Sequence, residues 1–324
     1  MHIQRFKEEH LHQCLKMLEA QYCEEQNSVP ALPPFDDYRQ ELGTRLLNIA
    51  QQSLGWVLSD GASVIAMMAG YPVPAFFGSQ DGVFVPAYAH LHNPTAGSDV
   101  LTELYSCCAE QWVKNHKTSH AVTMFAHDRM ALESYFRLGF GIRCVDAIRE
   151  TRCLPGYELS PHIHLVDRTQ IDMLAEIHRQ HCEYYRQSPI FIPTADEDPV
   201  QDLLDWMDKP DRYIFAYMEG NRCLGYIRLQ SAGESVFSAH PSMMNITALF
   251  VLPEHRRKSI AAALLNYVQV FLAKNRKART GVDFESINPS GSRFWDRYFT
   301  PYSYSLARRI DERILDLFPK GESS

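Results

Sequence analysis

The chain has 324 residues, 45% of them hydrophobic and 22% charged, with a formal net charge of −7 at pH 7. That length exceeds what one core usually serves, so two domains of roughly 150 residues are expected, and the apolar runs fall far short of the roughly 20 residues that cross a bilayer. Nucleic acid is not expected as a partner, because the cations at Arg256 to Lys258 and Arg276 to Arg279 are local features of an acidic chain.

The opening "MHIQRFKEEH" has neither the apolar core of a signal peptide nor the Arg- and Ser-rich, acid-poor character of a transit peptide, so a cytoplasmic location is expected. A short strand "HIQRF" is followed by the helical segments "LHQCLKMLEAQY" and "DDYRQELGTRLLNIAQQ", with the Pro-rich "SVPALPPF" between them. Strand-like runs come next at "GWVLSD", "SVIAMMAGYPV" and "GVFVPAYAHL". Then follow a helix "SDVLTELYSCCAEQWVKNH", a strand "HAVTMFAHD", a helix "RMALESYFRLGF" and a strand "IRCVDAIRE". After "TRCLPGYELSP", whose Pro and Gly mark a linker, the same order recurs. The second pass reads strand "HIHLVD", helices "TQIDMLAEIHRQHCEYYRQ" and "DPVQDLLDWM", and strands "RYIFAYMEG", "CLGYIRLQ" and "MMNITALFV". It closes with a helix from Ile260, strand "TGVDFESIN", helix "SGSRFWDRYF" and strand "YSYSLARRID".

A period of about half the chain means two copies of one domain rather than a solenoid. Boundaries at 1–152, a linker at 153–161 and a second domain at 162–324 are expected. The fold class is α/β (α+β): each copy is a mixed, mostly antiparallel twisted sheet with helices on both faces. Eight cysteines (Cys14, Cys23, Cys107, Cys108, Cys144, Cys153, Cys182 and Cys223) include no C-x-x-C pair, so disulfides and structural zinc are not expected. The pairs His90/His92, His162/His164 and His178/His181 have same-face spacing but no H-E-x-x-H or acid-rich companion, so no metal is expected.

Most telling is "VLPEHRRKSIAAALLNYV", Val251 to Val268. Ile260, Leu264, Leu265, Val268 and Leu272 keep a helical period, yet Arg256, Arg257 and Lys258 stand at the helix start, the positive end of its dipole. Three cations beside unpaired backbone N–H groups call for an anion.

These residues carry a family likeness. The C-terminal half, over roughly residues 162 to 311, resembles the GNAT superfamily of acetyl-coenzyme A (acetyl-CoA) dependent N-acetyltransferases. In that family a strand leads to Arg or Gln, two residues, Gly, one residue, then Gly or Ala at a helix start. Here the stretch is Arg256, Arg257, Lys258, Ser259, Ile260, Ala261, with Ser259 in place of the first Gly. The family's later element is matched by Asn288, Gly291 and Trp295, with Trp where Tyr is usual. The N-terminal half keeps that later element as Asp128, Ala131, Tyr135, Gly139 and Phe140, but His90 to Pro94 lack the cation-rich turn. The chain therefore resembles a tandem protein with a degenerate first copy.

The resemblance implies acetyl-CoA as cosubstrate, with its pyrophosphate held at the turn formed by Arg256, Arg257, Lys258, Ser259, Ile260, Ala261 and Ala262. It implies a bulged, splayed strand offering backbone groups at Leu249, Phe250 and Val251, with Asn288 and Trp295 nearby. Acetyl would pass to a primary amine, on a small molecule or a peptide, by direct attack in a ternary complex. Glu285 is the first choice for the base; Tyr302 or Tyr304 could supply a proton that Trp295 cannot. Asp196, Glu197 and Asp198 would suit a cationic acceptor. A homodimer is an allowed assembly. The alternatives are a non-catalytic acyl-CoA-binding sensor or scaffold, favoured by Ser259 and Trp295, and an RNA-associated factor whose binding falls steeply with salt.

Overall fold

The computed structural model describes residues 1–194 and 198–318. In chain order the elements are β1 (His2–Arg5), α1 (Leu11–Ser28), α2 (Arg39–Gln51), β2 (Gly55–Asp60), β3 (Ser63–Ala69), β4 (Tyr71–Val73), β5 (Gly82–Val85), β6 (His90–His92), α3 (Ser98–Lys114), β7 (Ser119–Phe125), α4 (Arg129–Arg137) and β8 (Gly141–Glu150). There follow β9 (Ile163–Leu165), α5 (Ala175–Arg186), α6 (Pro199–Met207), β10 (Arg212–Glu219), β11 (Arg222–Gln230), β12 (Met243–Val251), α7 (Ile260–Lys274), β13 (Arg279–Glu285), α8 (Pro289–Tyr298) and β14 (Thr300–Arg309). Short 3-10 turns join several of them. Among the described residues no helix is long and apolar enough to cross a membrane.

Two compact units emerge. The first takes residues 1–146 together with the chain from Pro301 onward; the second takes Ala147–Thr300. In the first, β1, β2, β3 and β6 form an antiparallel sheet, while β5 runs parallel to β7 and antiparallel to β4. The other edge of β7 pairs antiparallel with β14, Tyr304 opposite Met124, so the last strand of the chain completes the first unit. Leu58, Ala66 and Met68 pack with Val100, Leu101 and Leu104 of α3 and with Tyr135 of α4 in one core cluster.

The strands of this copy divide between two sheets, and Pro86 supplies the reason. "GVFVPAYAHL" reads as one strand, but Pro has no N–H to give a ladder. The chain turns through Ala87–Ala89, leaving β5 to pair with β7 and β6 with β3.

In the second unit the corresponding strand, β12, is unbroken and joins both neighbours. The order β13-β12-β11-β10-β9 is antiparallel except for β12 with β13. On β11, Tyr226 faces His178 and His181 of α5, whereas a Cβ on Gly225 would meet Ile260 of α7 at 3.1 Å. Adjacent strand residues point to opposite faces, so α5 and α7 cover opposite sides of this sheet. All five apolar positions of the α7 stripe are buried.

α7 also holds what reads as a linker. The Asn266 side chain accepts from the Leu154 N–H at 2.8 Å and donates to the Tyr157 carbonyl at 3.3 Å, and Gln269 accepts from the Arg152 N–H at 3.2 Å. These two polar side chains are buried on the helix and satisfied by the passing backbone.

Candidate functional site

The second unit contains a cleft of about 490 Å³ whose walls come from β12, β13, the start of α7, α5 and α8. Its origin is a divergence of two strands. β12 and β13 pair in parallel from Met243↔Arg279 to Ile246↔Val282; beyond that, β12 runs on to Val251 and β13 to Glu285 with no register between them. On its other edge β12 stays paired with β11, where Arg228 is opposite Ala248 and Leu229 opposite Ile246, leaving Thr247 as the extra residue of a bulge. Just before the divergence Gly281 stands opposite Asn245, and a Cβ there would lie 2.2 Å from Asn245 Oδ1, so only glycine admits the close approach.

At one end of the cleft the chain passes from β12 through Pro253–His255 to α7. Arg257 (φ 63°) and Ser259 (φ 62°) are both left-handed, and Ser259 is the N-cap although its side chain caps nothing. Alternating left- and right-handed residues turn successive N–H groups toward one concavity, which suits an anion. Arg256 is half-buried: its Nε donates to the Val251 carbonyl at 3.2 Å, and its guanidinium lies over the Tyr184 and Phe250 rings at 4.8 and 5.5 Å. Arg257 and Lys258 are exposed and make no ion pair among the described residues. In the first unit, by contrast, no residue from His90 to Gly97 has a positive φ, so no such concavity precedes α3.

At the other side, Asn288 caps α8. Its Oδ1 accepts from the Gly291 N–H at 3.1 Å and from the Tyr184 hydroxyl at 2.9 Å. Asp128 caps α4 in the same way, accepting from the Ala131 N–H at 3.0 Å. Trp295 is buried between Phe294 and Phe299 and lines the cleft. Tyr185 is there too; burial, then the charges of Glu285 and Asp283, push its phenol up to about 12.

Of the residues expected from sequence, the cleft gathers Leu249, Phe250, Val251, Arg256, Arg257, Ser259, Ile260, Ala261, Ala262, Asn288 and Trp295. Lys258 is exposed and not among the lining residues, and Glu285 is half-buried at the end of β13 outside the lining, where Asp283 stands instead. Tyr302 and Tyr304, expected from sequence as possible proton donors, are not among the lining residues and belong to β14, which pairs with β7 in the first unit. Asp198 caps α6 through the Val200 N–H, and Asp196 and Glu197 lie outside the described residues. The sequence reading missed Tyr157, His181, Tyr184 and Asp283 as cleft residues; only the His178/His181 spacing hinted at one of them. Among the described residues no group of three His, Cys, Asp or Glu is placed to hold a metal.

A profile of the Acetyltransferase (GNAT) family matches residues 174–298, the stretch that builds this cleft. Over that stretch the chain is similar to a GNAT acetyltransferase domain. The GNAT likeness extends over the chain as fold. A GCN5-related N-acetyltransferase from Sphaerobacter thermophilus is similar at a TM-score of 0.59 and 12% identity, covering 95% of this chain and 95% of that one. The GCN5-related glucosamine N-acetyltransferase region of a fungal multi-domain GH3 beta-N-acetylglucosaminidase is similar at a TM-score of 0.54 and 11% identity, covering 94% of this chain and 38% of that one. No curated protein sequence matches the chain.

Proposed function

We propose that the chain is an N-acetyltransferase that takes acetyl from acetyl-CoA and gives it to a primary amine by direct attack in a ternary complex, using the cleft of the second unit. The observation that carries this reading is the loss of β12–β13 pairing after Ile246↔Val282, next to the left-handed pair Arg257 and Ser259. A slot with free strand edges on one side and outward N–H groups at its end fits an extended chain of amides terminated by a pyrophosphate.

In this reading the N–H groups from Ser259 to Ala262, with Arg256 and Arg257 beside them, hold the pyrophosphate. The β12 backbone at Leu249, Phe250 and Val251 aligns the arm. When bound, acetyl-CoA supplies the thioester. Arg256 acts partly through Val251, whose carbonyl it fixes, and partly by walling the cleft over Tyr184 and Phe250. Asn288 locks Tyr184 against α8, and Trp295 fills the floor without a proton to give, since an indole N–H is not acidic at neutral pH. A CoA thiol has roughly the acidity of a Cys side chain, about 8.5, so its thiolate leaves without a strong acid. Glu285, the base expected from sequence, lies outside the cleft lining; the acceptor in this reading is a small-molecule or peptide amine that meets Asp283 in the cleft wall.

Release of free thiol from acetyl-CoA, measured against a panel of primary amines, tests the proposal. Amine-dependent release with stoichiometric acetylation is expected. CoA binding without turnover on any amine would favour the sensor or scaffold reading.

A further inference from the structure

His178 and His181 lie three residues apart on α5 and converge on one atom. The Tyr226 hydroxyl of β11 is 2.9 Å from His178 Nδ1 and 2.7 Å from His181 Nδ1. His178 Nε2 is 2.6 Å from Asp202 Oδ2 on α6. Tyr226 is fully buried and both histidines nearly so, but the Asp202 side chain is 39% exposed. At the opposite end His181 forms part of the cleft wall, stacked on Phe250 with ring centroids 4.8 Å apart.

Donor and acceptor bookkeeping orders the protons along this file. Asp202 accepts, so His178 carries its proton on Nε2 and presents a bare Nδ1. The Tyr226 O–H donates to that nitrogen, and its oxygen then accepts from His181 Nδ1–H. His181 is left with a bare Nε2. Burial, then Arg228 of β11, His178 and the Arg256 guanidinium, hold His181 well below its ordinary 6.5, so the ring is neutral at physiological pH. Burial also lowers His178 against the opposing pull of Asp202. The remaining titratable neighbours are Cys182, whose Sγ is 4.0 Å from His178 Nε2, and Tyr185, whose ring is 5.2 Å from that of His181.

We infer that His181 Nε2 receives the proton shed by the acceptor amine and that Tyr226, His178 and Asp202 pass its equivalent to solvent. This rests on the acetyltransferase reading above. An ammonium acceptor gives one proton to Nε2. His181 Nδ1–H moves to the Tyr226 oxygen, the Tyr226 proton to His178 Nδ1, and His178 Nε2–H to the Asp202 carboxylate, which releases it to water. The freed nitrogen lone pair forms the C–N bond, the C–S electron pair leaves on sulfur, and that thiolate takes the second N–H proton. The arrangement answers a physical difficulty: an imidazolium buried near two guanidinium groups is costly, and a relay lets the charge leave as it forms.

The first test needs no substrate. Nitrogen-15 NMR of the unliganded protein at neutral pH should show His181 as the Nδ1–H tautomer and His178 as the Nε2–H tautomer, with the His181 preference lost in Tyr226→Phe. His181 protonated on Nε2 in the native protein would overturn the relay. In turnover, His181→Gln should lower kcat about 100-fold or more and Tyr226→Phe about tenfold, the range of general-base contributions, with calorimetric CoA affinity unchanged. Asp202→Asn should lower kcat while Asp202→Glu restores it. CoA bound normally and kcat unaltered in His181→Gln would refute this inference alone, whereas a native protein that binds no CoA would refute the acetyltransferase reading itself.

Discussion

Ser259 stores strain that a substitution series can release. Its φ of 62° and ψ of 8° place an L-residue in the left-handed region, at a cost of roughly 1–2 kcal/mol. Glycine adopts the same angles freely but loses about 0.5–1 kcal/mol more chain entropy on folding, so Ser259→Gly should stabilise the second unit by a net of about 0.5–1 kcal/mol. For a domain of this size that raises Tm by about 1–4 °C. A hydroxyl that caps a helix costs about 1 kcal/mol to remove, but this one makes no cap bond, so Ser259→Ala should be near neutral. Ser259→Val, β-branched at a positive φ, should be the least stable of the series. Urea unfolding followed by circular dichroism reads all three. A glycine variant no more stable than the parent, or an alanine variant about 1 kcal/mol weaker, would refute the argument. Because Gly keeps the N–H, its CoA affinity should remain within about twofold, under 0.5 kcal/mol.

Tyr135 is fully buried, and its hydroxyl has no partner among the described residues, so Tyr135→Phe should leave the first unit unchanged or more stable by about 1 kcal/mol in urea unfolding. Asn288→Ala removes the acceptor for both Gly291 N–H and Tyr184, and should cost about 1–2 kcal/mol of thermal stability. Stability should fall in mild acid. Burial lowers His90 from 6.5 to about 3 and His120 to about 4, so below 6.5 the unfolded chain takes up protons that the folded chain refuses. Their contribution is complete above 6.5 and is lost progressively as pH falls through that value toward the depressed ones; a denaturant midpoint flat from pH 7 to 4 would contradict it.

The stripe Ile260, Leu264, Leu265, Val268 and Leu272 announces α7, because burial of one face leaves its period in the sequence, and the short apolar runs of β10 and β11, buried continuously at their centres, announce strands. The turn at one end of the cleft was equally legible, since Arg256 to Ala262 are contiguous and sit between two recognisable elements. Other features depend on pairings distant in sequence. Nothing local in "YSYSLARRID" says that Ser305 will hydrogen-bond Thr123 at 2.8 Å across 182 residues of chain. Likewise His178 and His181 look like an ordinary helix face until Tyr226, 45 residues beyond His181, is brought between them. Pro86 was visible, but its effect required knowing that β5 and β6 have different partners.

The central claim is that one CoA binds in the second unit, against the left-handed turn before α7. Isothermal titration of CoA into the chain and into Arg257→Glu tests it most directly. One site per chain is expected, because the turn before α3 has no residue of positive φ between His90 and Gly97. The variant should lose at least tenfold in affinity, about 1.4 kcal/mol, while the unliganded variant melts at the same temperature or higher, since a carboxylate suits a helix start better than a guanidinium. Two equivalent sites per chain, or an affinity untouched by Arg257→Glu, would contradict the account.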